Sequence, residues 1–96
     1  MSKANPVRRL ENDEVRITEW QFEPGAETGH HRHDYDYVVV PITDGTLRLV
    51  TAAGESTAEL KIGIAYFRKA GVEHNVINGG DRYLAFVETE LLDHPG

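Results

Sequence analysis

The sequence predicts an all-β domain, a sandwich or closed barrel, on three observations. β-Branched and aromatic residues are dense, no window sustains the 3.6-residue apolar period of an amphipathic helix, and turn-forming residues recur at regular intervals. The turn signals are Pro24-Gly25, Asp44-Gly45, Ala53-Gly54, Gly71 and Asn78-Gly79-Gly80-Asp81, residues that preset turn angles or tolerate positive φ.

Between these cuts the strand segments follow in order. VRITEWQF, residues 15–22, is strand-like, with Trp20 and Phe22 assigned to the core or to a subunit interface. DYDYVVVPIT, residues 34–43, is apolar on both parities, Tyr35, Tyr37 and Val39 against Val38, Val40 and Ile42, so it is expected to be covered on both faces. Its second cover is either an opposing sheet or another subunit. Pro41 cannot donate to a ladder and is expected at an edge or bulge. TLRLVT, residues 46–51, is a third strand, and AELKIGIAYFR, residues 58–68, is long enough for two. In its second half Ala65 and Phe67 share one face and Ile64, Tyr66 and Arg68 the other; the apolar pair is expected to line the interior, with Arg68 outside. EHNVIN, residues 73–78, and RYLAFVETELL, residues 82–92, complete the set. In the last, Phe86, Glu88 and Glu90 share a face, so Glu88 either enters a cavity behind Phe86 or is a solvated charge on an edge strand. The domain is expected to span 7–92, with 1–6 and 93–96 loose.

Composition bounds what such a domain can do. A chain of 96 residues is one domain that hides only roughly 60–65% of its unfolded surface, so closure, a metal or self-association should help it, and a homodimer is expected. The net charge is −6 and the basic residues are scattered, which argues against a nucleic-acid partner. With no cysteine there is no disulfide, thiolate metal site or cysteine nucleophile; Ser2 and Ser56, the only serines, give a serine hydrolase little support. No segment approaches the ~20 apolar residues of a membrane span and no signal peptide is visible, so a cytoplasmic location without a membrane partner is expected.

Three of the five histidines fall in GHHRHDYDY, at His30, His31 and His33, and His74 stands in GVEHNVIN. Residues two apart in an extended strand point the same way, so His31 and His33 can direct both imidazoles at one divalent ion while His30 faces away. An isolated H-x-H is as readily a solvated strand end. Here it belongs to a longer pattern: Gly25, five residues, His31, one residue, His33; then Gly63, Gly71, two residues, His74, three residues, Asn78.

This string resembles the paired motifs of the cupin superfamily, and it is similar to a narrower group of small bacterial cupins associated with beta-alanine degradation. The resemblance implies a single-domain cupin-type barrel (a double-stranded β-helix or jelly roll) and one divalent transition metal, Fe, Ni, Zn or Mn, on His31, His33 and His74. It makes Gly25, Gly45, Gly63 and Gly71 turn glycines and Asn78 the polar residue that closes the second motif. Two positions depart from the pattern. Lys69 stands where the second motif has proline, and the first motif's glutamate is missing. By strand parity Tyr37 shares the histidines' face and Asp36 opposes it, although a bulge near Pro41 would swing Asp36 inward; Tyr37 is the favoured fourth ligand or nearby support, Asp36 the other candidate. Tyr35, with Tyr37's parity, and Phe67 and Glu88 are candidate cavity residues. The implied function is metal-dependent handling of a small, carboxylate-bearing metabolite, by oxygenase chemistry with iron or Lewis-acid isomerisation, decarboxylation or hydrolysis with another ion. The alternative is a non-catalytic metabolite-binding or sensing cupin with a structural metal, since no general acid or base is evident.

Overall fold

The computed structural model describes residues 2–95, and side chains over residues 2–92; Met1 and Gly96 lie outside the described residues. The chain forms nine strands: β1 (Asn5–Glu11), β2 (Val15–Phe22), β3 (His31–Arg32), β4 (Tyr35–Pro41), β5 (Gly45–Thr51), β6 (Gly54–Leu60), β7 (Tyr66–Arg68), β8 (Glu73–Asn78) and β9 (Leu84–Pro95). They make a five-stranded sheet of order β1-β2-β9-β4-β7 and a four-stranded sheet of order β3-β8-β5-β6, antiparallel at every pairing. No helix occurs among the described residues, so none is long and apolar enough to cross a membrane.

Alternation places one face of each strand inward. Phe22 of β2, Tyr37 and Val39 of β4, Leu47 of β5, Leu60 of β6, Val76 of β8, and Leu84 and Phe86 of β9 form the core between the sheets. The Phe22 and Phe86 rings lie 5.5 Å apart. Gly45 is packed rather than turned: it begins β5 without a positive φ, and a Cβ there would collide with Leu84 Cδ1.

Several expectations change. Residues 4–6 are not loose, because Ala4 is buried with its N–H on the Glu27 carbonyl and β1 begins at Asn5. β9 likewise continues to Pro95. Pro41 ends an interior strand instead of lying on an edge. Its neighbour Ile42 donates its N–H toward β9, to Ala85, so the Pro41 nitrogen faces the β7 side, where pairing has stopped at Val39. No ladder bond is lost. Glu88 is likewise on no edge strand, since β9 lies between β2 and β4. Val38 and Val40 point away from the core, half-buried, beside exposed Phe67, which pairs with Val38.

Candidate metal centre

The three motif histidines come together through a strand pair and a turn. His31 and His74 face each other across β3 and β8, a pairing that sets side chains on one face about 5 Å apart at Cβ. His33, just beyond β3, is clamped by backbone: its N–H donates to the Val72 carbonyl, and its own carbonyl accepts from Gly71 N–H. Gly71 has φ +99°, which an L side chain rarely adopts, so this glycine is the hinge that holds His33. The Nε2 atoms of His31 and His33 lie 3.0 Å apart and those of His33 and His74 3.2 Å, with all three ligand atoms within 4.8 Å of one another.

Proton placement suits a cation. His31 Nδ1 lies 2.9 Å from the Gly29 carbonyl, which can only accept, so Nδ1 carries the hydrogen and Nε2 presents a lone pair to the cluster. Thr28 supports this loop: its hydroxyl donates to the same carbonyl, accepts from Val76 N–H, and sits 3.2 Å from His31 Nδ1. Asn75 holds the loop from the other side, accepting from Gly29 N–H and donating to Glu27. Burial, with the charge of His31 adding to it, pushes the imidazoles of His33 and His74 down to about 4, so both are neutral at pH 7. Neutral imidazoles are what ligation requires. An ion ~2.1 Å from each nitrogen would set neighbouring nitrogens roughly 3.0–3.4 Å apart, and the two short separations fall in that range. The donor set therefore fits a divalent transition ion.

The cluster opens into a cavity of about 190 Å³ between the sheets. Tyr37 reaches it, buried, its ring stacked on His33 at a centroid distance of 3.9 Å; burial raises its phenol further above the usual tyrosine range. It backs a histidine as a neutral ring. Asp36 does not reach the site. The register does shift between Tyr35 and Tyr37, but Asp36 stays on the outer side, where its carboxylate accepts from Ala70 N–H and lies 3.7 Å from Lys69 Nζ. Tyr35 also misses the cavity and lies under the Arg16 guanidinium. The ring assignment in β7 is reversed: Tyr66 lines the cavity and Phe67 is 48% exposed, while Arg68 is exposed as expected and lines the cavity from its open side. Val39 fixes that register by pairing with Tyr66, which puts Tyr66 on the inner face. Glu88 does enter the cavity, 8% exposed.

The remaining motif residues are structural. Gly25 and Gly63 turn the chain at positive φ. Asn78, buried, donates to the carbonyls of Phe22 and Arg82 and accepts from Gly80 N–H, tying β8 to β2 and to the turn before β9. His30 points outward, 3.5 Å from Glu73. Thr28, Asn75, Tyr66 and Arg68 are the site residues that sequence reasoning missed. Only Thr28 carried a signal, as a hydroxyl three residues before His31 in a loop that must aim a ligand.

Two facing antiparallel sheets with three histidines aimed into the space between them define a cupin, and the comparisons agree. The cupin domain family matches residues 18–90, and the chain belongs to that family. It is 61% identical over 89 residues to the beta-alanine degradation protein BauB of Pseudomonas aeruginosa, covering 93% of this chain and 94% of that one. Among solved structures it is similar to a cupin domain from Bordetella pertussis, at 51% identity and TM-score 0.91 over 94% of both chains. A double-stranded β-helix domain protein from Klebsiella pneumoniae is 26% identical with TM-score 0.73, covering 95% of this chain and 80% of that one.

Proposed function

We propose that this chain is a metal-binding cupin that takes a small carboxylate-bearing metabolite into the cavity, in the context of beta-alanine degradation. The observation that carries the reading is the convergence of three Nε2 atoms on one point, with His31 locked in the ligating tautomer by the Gly29 carbonyl. His31, His33 and His74 would hold one ion of Fe, Ni, Zn or Mn. Bound there, it would supply Lewis acidity, or oxygen chemistry if it is iron. The carboxylate preference rests on Arg68, an exposed cavity-lining residue whose guanidinium lies 4.4 Å over the Tyr66 ring, donates to the Phe67 carbonyl and makes no ion pair among the described residues. The apolar remainder of the lining, including Trp20, Leu49 and Phe86, suits a short carbon chain. The name of the 61% identical relative supports the metabolic context.

Elemental analysis of protein purified without an affinity tag, beside a His31→Ala variant, tests the metal. About one equivalent in the wild type, lost in the variant, is expected; less than a tenth of an equivalent in the wild type after loading sinks the proposal. Oxygen uptake and product analysis with beta-alanine-pathway metabolites then separate an enzyme from a sensing module. We further propose a homodimer across the outer face of the five-stranded sheet, where Phe67 and the half-buried Val38 and Val40 stand together. A sedimentation mass near 10.8 kDa at micromolar concentration would refute it.

A further inference from the structure

The inner face of β9 runs Leu84, Phe86, Glu88, Glu90, from apolar core to acid. The two glutamates are treated differently. Glu90 is held by Arg16 in a two-pronged pair at 2.7 and 2.8 Å. Glu88 has no ion pair or hydrogen bond among the described residues, although it is 8% exposed and sits on a central strand. No fully enclosed side-chain oxygen lacks a partner, so the Glu88 carboxyl must open onto the cavity it lines.

Its surroundings do not neutralise it. From β2 it is flanked by Thr18, its direct pairing partner, and by Arg16, which is committed to Glu90. Arg8 of β1 donates to the Thr18 hydroxyl and to Glu11 instead of reaching Glu88. β4 presents Val39, which pairs with both Glu88 and Tyr66, and Tyr37 one row along; β7 presents Tyr66 and Arg68. The imidazoles stand on the opposite sheet, and Glu88 is no member of their cluster. A carboxyl buried against phenols and aliphatic groups, beside a second carboxylate, is disfavoured as an anion. Burial and the charge of Glu90 raise it from its ordinary value to about 7.

We propose that Glu88 is the proton-transferring residue of this cavity, giving its carboxyl proton to a basic atom of the bound small molecule and recovering a proton from that molecule or from water. In that step the Glu88 O–H bond breaks, a bond from hydrogen to the ligand atom forms, and the carboxylate is left beside Tyr37 and Tyr66. The inference rests on the reading that a small molecule occupies the cavity, but it does not require the metal. The missing motif glutamate is then replaced by a carboxyl on another strand with a different task.

The test uses the full chain labelled with carboxyl-¹³C glutamate and titrated by NMR, metal-free and zinc-loaded, with Glu88→Gln assigning the resonance. Glu88 is expected to titrate at least one pH unit above the ordinary glutamate value of about 4.3; titration with the other glutamates overturns the proposal. Calorimetry with propionate as probe, near pH 7 in two buffers of different ionisation heat, should show uptake of about half a proton on binding. Uptake should persist in Glu88→Asp and vanish in Glu88→Gln; undiminished uptake in Glu88→Gln overturns the proposal. Zinc content of Glu88→Gln should match the wild type, and its loss would make Glu88 a metal ligand and also overturn it. A wild type that binds no metal but shows the high titration and the proton uptake would defeat the metal reading and leave this inference standing.

Discussion

The three imidazoles stand on a two-residue strand, on the residue after it and at one end of β8, whereas Glu88, Tyr66 and Tyr37 stand within strands of the five-stranded sheet. The histidine wall is held by a glycine hinge, a carbonyl and two polar side chains. The carboxyl wall is held by ladders and by the aromatic core beneath it. Yet burial acts on both walls in the same sense, pushing two imidazoles down and one carboxyl up, so that each sheds charge near neutral pH. One cavity thus has a wall that depends on local hydrogen bonds and a wall that depends on global packing.

That contrast can be broken from either side. The largest effect is expected from Phe22→Ala: Phe22 is fully buried against Phe86, and its loss should cost about 3–5 kcal/mol in urea unfolding, undermining the carboxyl wall. His74→Ala should leave the ladders intact while lowering metal affinity more than ~100-fold, since even the partners of ligating histidines are worth about 10–100-fold; competition with a chromophoric chelator reads this out.

The two walls should also pull stability in opposite directions with pH. In metal-free protein His33 and His74 bind protons below about 4 when folded and near 6.5 when unfolded, so between these values the unfolded state holds more protons and stability rises with pH. Glu88 does the reverse. Its proton is held up to about 7 when folded and about 4.5 when unfolded, so its contribution falls as pH rises through that window. Glu88→Gln should therefore steepen the rise of stability between pH 4.5 and 6.5 by about 1.4 kcal/mol per pH unit, measured as urea midpoints. A slope identical to wild type would mean Glu88 is ionised in the fold. The smallest effect belongs to Thr28→Val, which removes the hydroxyl behind His31 and should weaken metal binding roughly tenfold with little change in melting temperature.

The same contrast explains what could be read in advance. The histidine wall was legible because its parts lie at short, fixed offsets, Gly25 to His33 and Gly71 to Asn78, that resemble the paired cupin motifs. The inward parity of Tyr37 was legible too, because it stands at an even spacing from His31 and His33. The carboxyl wall was not. Whether Glu88 is buried depends on β9 being inserted between β2 and β4, and whether Tyr66 or Phe67 faces inward depends on β7 aligning Tyr66 with Val39. Neither alignment is encoded near those residues. β7 misled on hydrophobicity alone, because its most apolar residue, Phe67, faces out and Tyr66 faces in.

The insertion of β9 has a consequence for how the molecule comes into being. Arg16 and Glu90, joined in the finished sheet, are 74 residues apart in the chain, and β2 and β4 become indirect neighbours only once β9 lies between them. During synthesis both strands must wait with bare edges, exposed to pairing with the wrong strand or another chain, until β9 arrives. The imidazoles can gather earlier, from residues 25–78. A newly made chain would then have its three imidazoles assembled before it has a cavity around them.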